Sequence, residues 1–169
     1  AQSIDRAGHA VHLADGRSVH YDRLLLAAGA VPRRINLPGS DSARVRYLRT
    51  YEDAMALRTQ IHDGGHVIII GGGFIGLEVA SSARKLGASV TLIEGLPRVL
   101  SRGVPEEVAQ VVTRRHETEG VDIRCSTGIT GFEDRGDKIS VMLSDGKAVV
   151  GDLVLIGIGA VPVTDLAEK

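Results

Sequence analysis

The stretch from His66 to Glu94, HVIIIGGGFIGLEVASSARKLGASVTLIE, constrains the fold more than any other part of the chain. Val67, Ile68, Ile69 and Ile70 form a short branched apolar run, the pattern of a strand buried on both faces. A glycine turn, Gly71-Gly72-Gly73, follows at once. Gly71, Gly73 and Gly76 satisfy G-x-G-x-x-G: the first permits the tight turn, the second lets a pyrophosphate approach the backbone, and the third lets the next helix pack on the strand. That helix is predicted from about Phe74 to Leu86 and is ended by Gly87. Its free N–H groups and positive dipole end face the turn, where an anionic diphosphate would sit. Ala88 to Ile93 reads as a second strand. Glu94 closes it, 18 residues after Gly76, near the spacing of the acid that binds an adenosine ribose in such folds.

A lone G-x-G-x-x-G is weak evidence, because glycine turns are common between strands and helices. Here strand, turn, amphipathic helix, second strand and terminal acid occur in register, which favours a dinucleotide site. Glu94 also carries a choice of ligand. A carboxylate accepts both ribose hydroxyls of NAD, whereas a 2′-phosphate meets like charge, so NADH is expected over NADPH. Arg98 and Arg102 follow closely. They read either as partners for a phosphate or as two solvated loop arginines.

Composition narrows the class. The chain has 169 residues, 43% of them apolar, enough for a sizeable core. The net charge is −1 and no basic block is interleaved with aromatics, which argues against nucleic acid and anionic membranes. Apolar runs such as Leu153 to Ile158 are too short to span a bilayer, and a soluble cytoplasmic protein is the expectation. Cys125 is the single cysteine, reads as a small core residue, and leaves no ligand spacing for zinc. The six histidines, His9, His12, His20, His62, His66 and His116, form no constellation.

The chain also repeats itself. A shift of 130 residues lays AVHLADGRSVHYDRLLLAAGAVP (Ala10 to Pro32) on SVMLSDGKAVVGDLVLIGIGAVP (Ser140 to Pro162) without a gap, with eleven identities that include Asp15-Gly16 on Asp145-Gly146 and Gly29 to Pro32 on Gly159 to Pro162. Each copy reads as strand, Asp-Gly turn, strand, then a buried strand ending in glycine. The second copy closes the unit opened by Gly71. The first copy has no glycine turn the same distance before it, and the chain starts at Ala1. A piece of a larger protein with two related dinucleotide units is therefore expected, against the competing reading of a self-sufficient protein with an amino-terminal hairpin.

Along the chain, residues up to Leu26 read as a β-hairpin turning at Asp15-Gly16 and a strand from Leu24 to Ala27 that lacks a parallel neighbour. Gly29 to Gly39 reads as a connection between domains. Thr50, with Asp53 three residues on, caps a helix through about Ile61. After Glu94 comes a loop, a helix begun by Pro105 and ended by Gly120, and a third parallel strand from Val121 to Cys125. A three-stranded antiparallel meander over residues 129–150 follows. Leu153 to Ile156 returns to the parallel sheet, and Gly157, Ile158 and Gly159 stand at its carboxyl end, where open α/β sheets bind ligands. On spacing alone, a tight turn and a close approach to nicotinamide fit these three equally. The expected architecture is α/β: a Rossmann-like parallel sheet with helices on both faces, a meander, and an amino-terminal hairpin and strand left over from a second domain.

The segments VIIIGGGFIGLEVA, TLIEGLPRVLSR, DLVLIGIGAVP, YDRLLLAAGAVPR and YLRTYEDAMALR together resemble the FAD-dependent pyridine nucleotide oxidoreductases, and within them the NADH-dependent ferredoxin reductases of cytochrome P450 and ring-dioxygenase systems. The resemblance implies that residues 1–45 end the first segment of an FAD domain, that 46–163 form the NADH domain, and that 164–169 begin the return to the FAD domain. It makes Gly71, Gly72, Gly73, Phe74, Ile75 and Gly76 the diphosphate loop and Glu94 the ribose ligand, with Arg102 nearby. Glu78, otherwise an ordinary exposed helix residue, would lie near the nicotinamide carboxamide, and Gly157, Ile158 and Gly159 would lie against the nicotinamide ribose and ring. Ala28, Gly29 and Arg33 would pass near the flavin nucleotide. The implied cofactors are NADH and, in the whole protein, FAD; the implied partner is an iron–sulfur ferredoxin. No metal or certain catalytic side chain is implied, and the FAD glycine turn and interface domain of the family would lie outside this chain. Reduction of a disulfide, peroxide or rubredoxin, an NADH-sensing flavoprotein, and a simple nucleotide-binding module remain as alternatives.

Overall fold

A computed structural model describes residues 1–168 of the chain. It forms two compact units, one made by Ala1–Val31 with the segment from Ala160 on, the other by Pro32–Gly159.

In the first unit, β1 (Ser3–Asp5), β2 (Ala10–His12) and β3 (Ser18–His20) make an antiparallel sheet in that order. The hairpin expected at Asp15-Gly16 is thus two strands of three. Asp15 accepts the Arg17 N–H and Gly16 takes φ +85°, the left-handed geometry that favours glycine in such turns. A second pair joins β4 (Ala30–Pro32) to β13 (Ala160–Pro162), so the Ala-Val-Pro ends of the two repeat copies lie against each other. The strand expected from Leu24 to Ala27 is not formed, and Leu25 is 86% exposed. Its repeat counterpart, Val154 to Gly157, falls on the strand β12 (Leu153–Ile156), which is buried throughout. The two sequences are alike; only the second has neighbours on both sides to pair its backbone groups, and an extended segment without them has no ladder to join.

The second unit runs β5 (Val45–Tyr47), α1 (Tyr51–Gln60), β6 (His66–Ile70), α2 (Phe74–Lys85), β7 (Ser89–Ile93), α3 (Glu106–Thr118), β8 (Val121–Arg124), β9 (Ile129–Asp134), β10 (Ile139–Leu143), β11 (Ala148–Gly151) and β12 (Leu153–Ile156). Five of these strands form a sheet in the order β5-β12-β6-β7-β8, with every pair parallel. The expectation covered four; β5, only Val-Arg-Tyr, carries no readable pattern and is defined by its pairing with Val154 to Ile156. The helices start where their caps predict. Thr50 and Asp53 form a reciprocal capping box on α1, and Pro105 precedes α3 with Glu106 and Glu107 in its first turn.

One expectation about the layers is overturned: the helices do not cover both faces. Leu57 and Ile61 at the end of α1, Leu77, Ala80 and Ala83 of α2 and Ala109 of α3 pack with Val67, Ile69, Val90, Leu92, Leu153 and Leu155 in one core. The alternate strand residues Ile68, Ile70, Ile93, Val154 and Ile156 pack with Phe132, Ile139, Val141, Leu143 and Val149 of the meander β9-β10-β11. The direction of chain travel explains the segregation. The connections through α1, α2 and α3 all move the same way across the sheet, and right-handed crossovers therefore put them on one side. The meander connects β8 back to β12, the opposite way, and so lies on the other.

Candidate functional site

The loops at the carboxyl ends of β6, β7 and β12 meet around the glycine turn. Gly71 takes φ +107°, and a Cβ there would lie 2.5 Å from the Gly157 carbonyl oxygen, so the ends of β6 and β12 touch backbone to backbone. A Cβ on Gly76 would collide with the Gly71 carbonyl, which is why α2 can sit directly on the turn. Gly73 differs from both. A Cβ there would meet nothing within 4 Å: the residue faces open space in front of α2. The helix begins there with no side-chain cap and no acid in its first turn, which leaves its amino terminus suited to an external anion. Phe74 and Ile75, 57% and 45% exposed, flank that space.

Glu94 is tied to the same turn. Its Oε2 accepts the Gly72 N–H at 2.6 Å and its Oε1 accepts the Leu96 N–H at 2.8 Å. A carboxylate oxygen has two acceptor sites, so each retains one for a hydroxyl donor. The Glu94 backbone is bound on both sides, its N–H to the Arg124 carbonyl and its C=O to the Thr127 N–H. The carboxylate is thus half-buried, fixed in direction, and adjacent to the open ground before α2.

The two loop arginines part company. Arg98 is turned inward, donating to the carbonyls of Val99 at 3.2 Å, Val104 at 3.1 Å and Ser101 at 3.5 Å. It is neither a solvated side chain nor an available phosphate partner. Arg102 is exposed. Between them Leu100 adopts φ +53° although only 6% exposed, and its N–H donates to the Gly72 carbonyl at 2.9 Å. The left-handed region costs a non-glycine residue about 1 kcal/mol or more. Nothing in the sequence signals this conformation, and the loop's grip on the glycine turn escapes pattern reading.

Glu78 is exposed one turn into α2, in a groove shared with Phe74, Leu77 and His116. Gly157 lies beside the start of α2, where a Cβ would stand 3.6 Å from the Gly76 nitrogen, and Gly159 takes φ +108°. The Arg33 N–H donates to the Gly159 carbonyl at 2.9 Å. Gly157 to Gly159 are therefore both a tight turn and a close backbone approach to the helix terminus. Ala28 and Gly29 belong to the first unit and are exposed. Cys125 directly follows β8, one residue beyond the strand's last, and packs against the helix-side core; burial, reinforced by the Glu94 charge, pushes its thiol pKa up, which suits a packing residue and not a nucleophile.

Residues 1–169 match the family described as pyridine nucleotide-disulphide oxidoreductase. The ferredoxin–NAD(+) reductase component of the p-cumate 2,3-dioxygenase system of Pseudomonas putida is 45% identical over 158 residues, covering 94% of this chain and 39% of that protein. A rubredoxin–NAD(+) reductase of the same organism is 40% identical over 168 residues, 99% of this chain and 44% of that protein. Among solved structures, the ferredoxin reductase for the CYP199A2 system of Rhodopseudomonas palustris superposes with a TM-score of 0.89 at 38% identity, covering 98% of this chain and 41% of that one. The chain thus spans about two fifths of the length of the relatives it matches.

Proposed function

The chain belongs to the pyridine nucleotide-disulphide oxidoreductases, and on that premise we propose that it is the NADH-binding part of a flavoprotein reductase that passes a hydride from NADH to FAD and electrons on to an iron–sulfur ferredoxin. The observation that carries the reading is the Glu94 carboxylate held 2.6 Å from the Gly72 N–H, beside the open space at Gly73.

In this proposal the amino terminus of α2 binds the diphosphate through backbone N–H groups and the helix dipole. Glu94 accepts the adenosine ribose hydroxyls with the acceptor sites left free, and its charge repels a 2′-phosphate. Gly71, Gly72, Phe74, Ile75 and Gly76 shape that loop, and Arg102 lies at its rim. Gly157, Ile158 and Gly159 lead the backbone past the helix terminus toward the nicotinamide half, with Glu78 on the adjacent face of α2. Position and electrostatics are the chain's contribution, and a flavin held by the whole protein would supply the redox chemistry. Ala28, Gly29 and Arg33 are assigned to the flavin side. The boundaries 1–45, 46–163 and 164–169 implied by the resemblance are drawn in to the compact units: Pro32–Gly159, whose β5 already pairs from Val45, is assigned to the NADH domain and the remainder to the FAD domain.

No helix among the described residues is long and apolar enough to cross a membrane, and a cytoplasmic location, with access to NADH, is part of the proposal. A second acceptor has a specific basis, since a rubredoxin reductase matches almost the whole chain at 40% identity. The test is stopped-flow reduction of the full-length flavoprotein by NADH, followed by mixing with a [2Fe–2S] ferredoxin, a rubredoxin, a disulfide or peroxide. Fast flavin reduction and ferredoxin as the best acceptor support the proposal. Preference for rubredoxin reassigns the acceptor, and no reduction by NADH defeats the reading.

A further inference from the structure

The loop of residues 97–104 is bound more tightly than its position at the surface requires. Arg98 donates to the carbonyls of Val99, Ser101 and Val104, on both sides of Leu100. The Leu100 carbonyl accepts from Gly103 at 3.0 Å and Val104 at 3.3 Å, and its N–H donates to Gly72 at 2.9 Å. Gly72 in turn donates to Glu94 at 2.6 Å. Both backbone groups of Gly72 are therefore occupied, one by the acid and one by the loop. The fully buried Val99 side chain closes on Gly72 from the remaining side, 2.8 Å from where a Cβ would stand.

We propose that Arg98 is a positioning residue for the choice between NADH and NADPH. By locking the loop in the conformation that places Leu100 in the left-handed region, it clamps Gly72 between Leu100 and Glu94 and presents the Glu94 carboxylate in one orientation. The same bonds keep the Arg98 charge turned inward, away from any 2′-phosphate. Lysine cannot reproduce this, because a single ammonium does not span carbonyls that the planar guanidinium fork bridges. The inference rests on the dinucleotide reading of the site.

The test compares Arg98→Met and Arg98→Lys with Arg84→Met. Arg84 also binds backbone carbonyls, those of Glu119 at 2.8 Å and Ala88 at 2.7 Å, but at the far end of α2. Dissociation constants for NADH and NADPH are measured by calorimetry beside each variant's melting temperature. Arg98→Met is expected to weaken NADH by about tenfold with little change for NADPH, as loss of a fixed charged acceptor implies. Arg84→Met is expected to lower the melting temperature and keep the wild-type ratio. An unchanged ratio in Arg98→Met, or equal narrowing in Arg84→Met, overturns the proposal. If Arg98→Met does not fold, Arg98→Lys is decisive: narrowing supports the proposal and a wild-type ratio overturns it. A wild-type protein without affinity for NADH defeats the site reading itself.

Discussion

Glu94 and Gly72 are joined by a 2.6 Å hydrogen bond, so the acid that ends β7 is fastened to the turn that ends its neighbour β6. Two features 22 residues apart in sequence become one site because the strands carrying them pair in parallel, Ile70 against Ile93.

Replacing Glu94 by alanine removes the proposed ribose acceptor and frees Gly72 and Leu96. Hydrogen bonds to a charged group are worth about 1.5–3 kcal/mol, so NADH should bind at least about tenfold more weakly. NADPH, relieved of like charge, should lose less or gain. Calorimetric titration with both nucleotides checks this, and parallel losses for the two would mean that the acid does not select between them.

Two of the motif glycines, Gly73 and Gly76, should fail differently. Gly73→Val projects into open space from an extended backbone, so the domain should fold and dinucleotide binding should vanish. Gly76→Ala sets a Cβ against the Gly71 carbonyl, which cannot yield without moving the turn, and overpacking of this kind costs about 1–3 kcal/mol. Urea denaturation and nucleotide binding on both variants separate the cases. A stable Gly76→Ala or an unfolded Gly73→Val would show that the roles are assigned wrongly.

Much of this was legible in the sequence because it rests on local chemistry. The glycine turn, the cap at Thr50, the start at Pro105 and the Asp-Gly turns each need particular residues, and each stands where expected. What was not legible depends on neighbours far along the chain. Leu24 to Ala27 and Leu153 to Ile156 look alike, yet only the second has strands to pair with. The face on which each helix lies follows from strand order, which no local pattern contains. Arg98 looked interchangeable with Arg102 until the carbonyls around it were in place.

Acid should weaken the second unit through His66. Burial holds the pKa of this imidazole below its ordinary 6.5, against the Val150 carbonyl and the charges of Asp152 and Asp122, which favour the cation, and with Lys138, which opposes it. The folded state then binds fewer protons than the unfolded one near and below that value. Its stabilising contribution is complete above pH 6.5 and is lost as pH falls through the folded pKa. Denaturation midpoints measured between neutrality and mild acid should fall, and His66→Gln should flatten the fall. An equally steep fall in His66→Gln would locate the effect elsewhere.

Cys125 should be a poor nucleophile, because burial and the Glu94 charge both disfavour its thiolate. Alkylation by iodoacetamide in mildly alkaline buffer should run slower than that of a free thiol. A faster reaction would point to a reactive cysteine near Glu94, beside the proposed nucleotide site.

The most direct test of the proposed dinucleotide site is a pair of titrations of the wild-type protein, with NADH and with NADPH, at the same pH and ionic strength. The structure predicts saturable binding of NADH, tighter than NADPH by about tenfold or more, since a 2′-phosphate would meet the fixed Glu94 carboxylate. Equal affinity, tighter NADPH, or no binding of either would contradict it.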